Sequence, residues 1–242
     1  MTQDPAAAVH VVSYNIRKAV GTDRRRDPHR ILTILREARC DIAILQEADL
    51  RLGQRPAALP LDAMTQCGLS PASLAMNAVS LGWHGNAILV RPDWTVASVD
   101  RITLPGLEPR GAVSATVMTP MGPLRIVGLH LGLLRRSRLG QQHAVLDWLS
   151  GQPPHPTLIA GDLNEWSARR GLGPLSQRFA LQSPGHSFHA RWRLAPLDRI
   201  GTTRDLALHD VHMIDTALTR AASDHLPIRA RLARAPTAET DA

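Results

Sequence analysis

Short apolar runs rich in β-branched residues recur along the chain at residues 9–14, 42–45, 87–90, 124–129 and 157–160. Each has the length and composition of a strand buried on at least one face. Between the first two runs the apolar spacing becomes helical. Ile31, Ile34, Leu35 and Ala38 share one face of a segment over 27–39, and Asp27-Pro28 supplies an N-cap and a first helical residue. A second helix is predicted over 137–149, with Leu139, Val145, Leu146 and Leu149 facing inward. The middle reads differently: residues 95–104 and 111–119 form longer strands joined by a turn at 105–110, and Met121-Gly122-Pro123 is a hairpin into the next strand. A last strand is expected over 226–232. Local pairing mixed with crossovers excludes a purely alternating βα fold and implies two packed sheets with helices outside.

No internal repeat or interdomain linker interrupts this pattern; residues 152–156 are long enough only for a loop. A single domain over 9–234 is expected, with a flexible segment at 1–8 and a polar, aperiodic tail at 235–242. Apolar residues make up 44% and aromatics 3%, so the core is built mainly of Val, Ile, Leu and Ala. The net charge of +7 is carried almost wholly by arginine, Lys18 being the only lysine. That bias fits either a GC-rich coding sequence or a surface that grips phosphates, and the placement of the arginines decides between them. Cys40 and Cys67 form no CxxC pair, which points to a reduced, cytoplasmic setting. No signal peptide or membrane-spanning run is visible, and peripheral association with a membrane stays open.

The chemistry lies where the apolar runs end. The first ends at Asn15, the second at Gln46-Glu47, the fourth at His130, and the fifth at Gly161-Asp162-Leu163-Asn164. Near the C-terminus Leu197 leads into Asp198, and Ser223-Asp224-His225 precedes the last strand. One such residue is an ordinary turn cap. Several together suit the carboxyl ends of neighbouring strands, where α/β folds build sites. Carboxylates and amide oxygens are hard ligands for Mg²⁺ or Mn²⁺, and the zinc patterns CxxC and HExxH are absent. A buried Glu47 anion requires a cation. Asp198 and His225 have the makings of an acid-oriented imidazole that activates water. Without a GxSxG elbow or a partnered cysteine, metal-assisted hydrolysis fits better than covalent catalysis.

The stretches YNIR (14–17), LQEAD (45–49), GNAILVR (85–91), HLG (130–132), GDLNEW (161–166), LDRI (197–200) and SDHLPI (223–228) together resemble the endonuclease/exonuclease/phosphatase superfamily. They keep the family's order over nearly the whole chain. The resemblance implies a four-layer α/β/β/α sandwich of two mixed, mainly antiparallel sheets, and a Mg²⁺- or Mn²⁺-dependent phosphodiester hydrolase. Carried across, it makes Glu47 the principal metal ligand, with Asn15 and Asp224 in support directly or through water. Asp162 positions or deprotonates the attacking water and Asn164 donates to a phosphate oxygen. His225, oriented by Asp198, is general base or transition-state donor, and His130 contacts the phosphate and assists the leaving group. Whether Asp162 or His225 takes the proton, and whether one metal or two is bound, stays open.

Arg110 is a candidate phosphate contact, with an ion pair to Glu108 as the plain alternative. Arg138, in the basic cluster Arg135, Arg136 and Arg138 after His130, is a second candidate, and its plain alternative is a solvated helix start. Arg24 to Arg26 could rim the same opening. The HDVH pair His209 and His212 reads as a polar loop, and the tryptophans read as packing residues, with Trp166 also a candidate to flank substrate. The first reading of the substrate is a nucleic acid, making the protein an endonuclease/exonuclease-type nuclease; the alternative is a phospholipid or small-molecule phosphodiesterase or phosphatase, and a non-catalytic binding module is the reading from another class. Val127 stands where abasic-site members usually carry tyrosine, which counts against that activity. Ser187-Phe188-His189 departs from the Thr-Phe-Pro often found in its place.

Overall fold

The computed structural model describes residues 8–167 and 170–236; the ends expected to fray lie almost wholly outside this range. Along the chain come β1 (Val9–Asn15), α1 (Pro28–Ala38), β2 (Ile42–Gln46), β3 (Ser70–Pro71), β4 (Ala87–Val90), β5 (Val96–Thr103), β6 (Gly111–Thr119), β7 (Gly122–His130), α2 (Arg135–Ser150), β8 (Thr157–Asp162), α3 (Gly173–Arg178), β9 (Ala180–Gln182), β10 (Asp198–Thr202), β11 (Leu206–Met213), α4 (Ala217–Ala222) and β12 (Ile228–Arg234). They make two six-stranded sheets, ordered β11-β12-β1-β2-β4-β3 and β5-β6-β7-β8-β10-β9. At the centre of each sheet is one parallel pair, β1–β2 and β7–β8. A parallel pair needs a crossover, and α1 and α2 supply the two. The remaining neighbours are antiparallel, which yields the mixed, mainly antiparallel sandwich expected.

Side-chain alternation explains the four layers. Along β2, Ile42 and Ile44 join the core between the sheets, while Ala43 and Leu45 join the core under α1. A strand covered on both faces must be apolar throughout, hence the unbroken run in the sequence. Each fully buried Ile or Leu contributes roughly 1.5–3 kcal/mol, so one strand ties both layers together. A third core lies between α2 and the second sheet, around Val127, Leu129, Val145 and Ile159.

The two main helices differ. In α1 the Asp27 carboxylate caps the backbone N–H of His29, Pro28 opens the first turn, and Ile31, Leu32, Ile34, Leu35 and Ala38 are buried. Helix α2 buries Arg138, Gln141, Gln142, Val145 and Leu149, and Leu139, expected inside, is exposed. Its N-terminal half packs on polar loops: Gln141 accepts from the Gly132 N–H and donates to the Pro105 carbonyl. His209 and His212, expected in a loop, lie on β11 beside a register shift in its pairing with β12. No helix among the described residues is long and apolar enough to cross a membrane.

Candidate active site

The register of the strands assembles the site at one end of both sheets. In the second sheet His130 lies opposite Asp162 across β7–β8, and Asp162 opposite Asp198 across β8–β10. In the first sheet Asn15 ends β1 and Glu47 follows β2. The turn before β12 is pinned to them, with the Ser223 hydroxyl donating to the Asn15 carbonyl at 2.7 Å. Asn15 then joins the sheets, its Nδ2 donating to Asp162 Oδ2 at 3.0 Å.

Asp162 is the hub. Its Oδ1 accepts from the Asn164 N–H at 3.0 Å, and its Oδ2 faces His130 Nε2 at 3.5 Å and His225 Nε2 at 3.6 Å. Gly161 makes this possible: it has φ +149° and a side chain there would strike the Leu129 carbonyl, so only glycine lets β8 lie this close to β7. His225 Nδ1 lies 2.8 Å from Asp198 Oδ2, which also accepts from the Ser187 hydroxyl at 2.5 Å. Ser187 is a site residue that sequence reasoning missed; it lies in the loop whose Ser-Phe-His departs from the family pattern. Phe188, beside it, packs 5.0 Å from the His225 ring.

The two imidazoles are driven apart electrostatically. Burial opposes a charge on His225, but the carboxylates of Asp198 and Asp162 outweigh it and push the imidazole up to about 9. Burial also acts on His130, and with Arg110 adding to it against Asp162, that ring is held down to about 3. At neutral pH His225 is an imidazolium donor and His130 a neutral ring.

Arg110 reaches the site. Its Nη1 lies 2.9 Å from His130 Nε2, and its Nε donates to Glu108 Oε2 at 3.1 Å, so the ion pair and the site contact coexist. Arg138 does not reach substrate space. It is buried, donates to Glu165 Oε2 at 2.9 Å and to the Leu133 carbonyl at 2.6 Å, and so braces the loops after β7 and β8. A solvated helix start was the plain expectation, but the nearby Glu165 anion draws the guanidinium inward. Glu165 in turn requires Gly171, where a side chain would meet its carboxylate. The amide of Asn164, expected to donate to phosphate, donates to the Leu131 carbonyl at 2.9 Å, with one further N–H on the same nitrogen. Of the arginines at 24–26, Arg26 donates to the Ala58 carbonyl. Trp166 and Trp192, read among the packing residues, are exposed.

Glu47 stands apart from the hub. It takes a left-handed backbone, φ +51°, at the end of β2, a conformation that costs a non-glycine residue roughly 1–2 kcal/mol. Its carboxylate is ion-paired with Lys18 and lies 3.5 Å from Arg51 Nη2. Its Oε2, buried, is the atom that Lys18 meets. A hard carboxylate met by two side-chain cations is a place that a divalent cation can take. Asn15 is engaged with Asp162, and Asp224 pairs with Arg17 at 3.2 Å. Among the described residues no three His, Cys, Asp or Glu side chains gather as a ready metal cluster. The donors suit an ion such as Mg²⁺, which binds through one or two carboxylates and keeps several waters.

The chain matches the model of the Endonuclease/Exonuclease/phosphatase family over residues 12–225. It is 27% identical to the uncharacterized protein YbhP of Escherichia coli (strain K12), covering 92% of this chain and 95% of that one. Its fold is similar to that of an endonuclease/exonuclease/phosphatase from Beutenbergia cavernae, with TM-score 0.72, 19% identity, and coverage of 94% of this chain and 72% of that one. The human Nocturnin catalytic domain with bound sulfate is similar at TM-score 0.68 and 18% identity, over 95% of each chain. With these motifs in the family's order and its model matched from β1 to His225, the chain belongs to the endonuclease/exonuclease/phosphatase family.

Proposed function

We propose that the protein is a divalent-metal-dependent phosphodiester hydrolase. The observation that carries this reading is the position of Asp162 Oδ2, within 3.6 Å of His130, His225 and Asn15 at once. Asp162 holds the attacking water and accepts its proton on Oδ2. Asn15 fixes the direction of that carboxylate. The Nε2–H of His225, kept in place by Asp198 and Ser187, donates to a phosphate oxygen as charge develops there. His130, neutral and backed by Arg110, contacts the phosphate on the leaving-group side. Glu47 would hold Mg²⁺ or Mn²⁺, with Asn15 and Asp224 in support, and the ion would offset charge on the phosphate and leaving oxygens.

A nuclease is the second reading, supported by the net charge of +7. Against it, Arg17, Arg110, Arg138 and Arg193 are each ion-paired with a carboxylate of the chain. Such pairing favours a compact phosphodiester over a polymer gripped along its length. The test is hydrolysis of bis-p-nitrophenyl phosphate, plasmid DNA, RNA and phospholipid with Mg²⁺, Mn²⁺ or EDTA. Activity that needs metal, and at least a roughly hundredfold loss in Glu47→Gln, are expected. Unchanged metal-dependent turnover in that variant would sink the assignment, and silence on every substrate would favour a binding module.

A further inference from the structure

Large apolar side chains stand exposed on the loops that carry site residues. Leu107 is 92% exposed, Leu133 65%, Leu134 58%, Trp166 59% and Trp192 66%. Single exposed leucines are ordinary; a set carried on the loops of one site is not. Each lies on a loop that carries a site residue. Leu107 is on the β5–β6 turn that ends at Arg110, and Leu133 and Leu134 follow His130. Trp166 follows Asn164, with its ring 6.3 Å from that of Phe188. Trp192 stacks on His189 at 4.3 Å, and His189 adjoins the Phe188 that packs on His225. Leu107, Leu134 and Arg136 also line one shallow groove.

The charges on these loops complete the pattern. Both carboxylates there are engaged by the chain itself: Glu108 by Arg110 and the Leu133 N–H, and Glu165 by Arg138. Arg135, Arg136 and Arg191 are exposed. The rim is therefore apolar and cationic, with its acids neutralised. A nucleic acid would be served by the arginines but not by open leucines. A bilayer of anionic phospholipid is served by both: leucine enters the acyl boundary, tryptophan sits at headgroup level, and arginine meets lipid phosphates.

We propose that this rim is a docking surface for an anionic phospholipid bilayer and seats the mouth of the site against the headgroups. The inference rests on the phosphodiesterase reading only for its consequence, that the substrate is a phosphodiester presented at the membrane. The full-length protein is to be floated with vesicles of phosphatidylcholine alone, and with vesicles also carrying about one quarter phosphatidylglycerol. Binding is expected mainly to the anionic vesicles. Leu107→Glu with Leu134→Glu, or Trp192→Ala alone, should weaken it about tenfold, and Arg135→Glu with Arg136→Glu should abolish the preference for anionic lipid. Hydrolysis of soluble bis-p-nitrophenyl phosphate should be unchanged in all of them. Leu107→Glu alone, on an exposed turn, guards against misfolding. Wild-type protein that fails to float, variants that float like wild type, or variants that weaken only single-stranded DNA binding would each overturn the proposal. Flotation without hydrolysis of any ester would keep the docking surface and overturn the catalytic reading.

Discussion

The hub at Asp162 and the corner at Glu47 hold their carboxylates in opposite ways. Asp162 lies on a strand, buried, with Asn15 and the Asn164 N–H bonded to it and two imidazoles facing it. These partners come from both sheets and are themselves bonded, as Asp198 and Ser187 hold His225. Glu47 lies just beyond a strand, and its charge is met by the flexible side chains of Lys18, in direct contact, and of Arg51, at 3.5 Å. The hub is preorganised by hydrogen bonds, and reorganisation there is already complete before substrate arrives. The corner is balanced by cations, which another cation can replace. On the proposed function, one half does the proton chemistry and the other holds a charge.

The largest expected effect separates the two. Asp162→Asn should lower kcat on bis-p-nitrophenyl phosphate by about 10³-fold or more, with metal affinity by calorimetry near wild type. A loss of metal affinity as large as that of Glu47→Gln would erase the distinction between hub and corner. Next comes the brace behind the hub. Arg138→Met strands the buried Glu165 and should cost about 3 kcal/mol in urea unfolding, much of it recovered by adding Glu165→Met. A raised KM with unaltered stability would instead return Arg138 to substrate binding.

The smallest effect is on pH dependence. His225 binds its proton more tightly in the fold, about 9 against 6.5. Its contribution to stability is therefore full below 6.5 and is lost as pH rises through 9. His130 is the reverse, at about 3 against 6.5. Its contribution is present above 6.5 and lost as pH falls toward 3. His225→Gln should flatten the alkaline side of a Tm–pH profile by about 3 °C, and His130→Gln the acid side. A His225 variant whose profile matches wild type would show that Asp198 and Asp162 do not hold the proton there.

Much of this was legible in the chain because local chemistry dictates it. Strands covered on both faces must be continuous apolar runs, so 42–45 and 157–160 stand out, and polar residues that end them mark the edge of the core. Glu47, Asp162, Asn164, Asp224 and His225 are legible that way, Asn15, His130 and Asp198 rest more on the resemblance, and the order of the motifs supplies the family. Other features carry no local signal. Leu139 lies outside and Arg138 inside because Glu165, from another loop, offers an anion under α2. Ser187 became a site residue only when its hydroxyl met Asp198. Trp166 and Trp192 have the composition of core residues and stand exposed on the rim.

By itself the sequence determined the two-sheet sandwich, the end of the sheets where the site lies and most of its side chains, since hydrophobic period and strand-end polarity are properties of neighbouring residues. Only the tertiary structure decided which carboxylate is a hub and which a corner, which histidine is charged, and which arginines face inward. Those depend on burial and on partners far along the chain, where the energy of a charge is set by whatever the fold brings beside it.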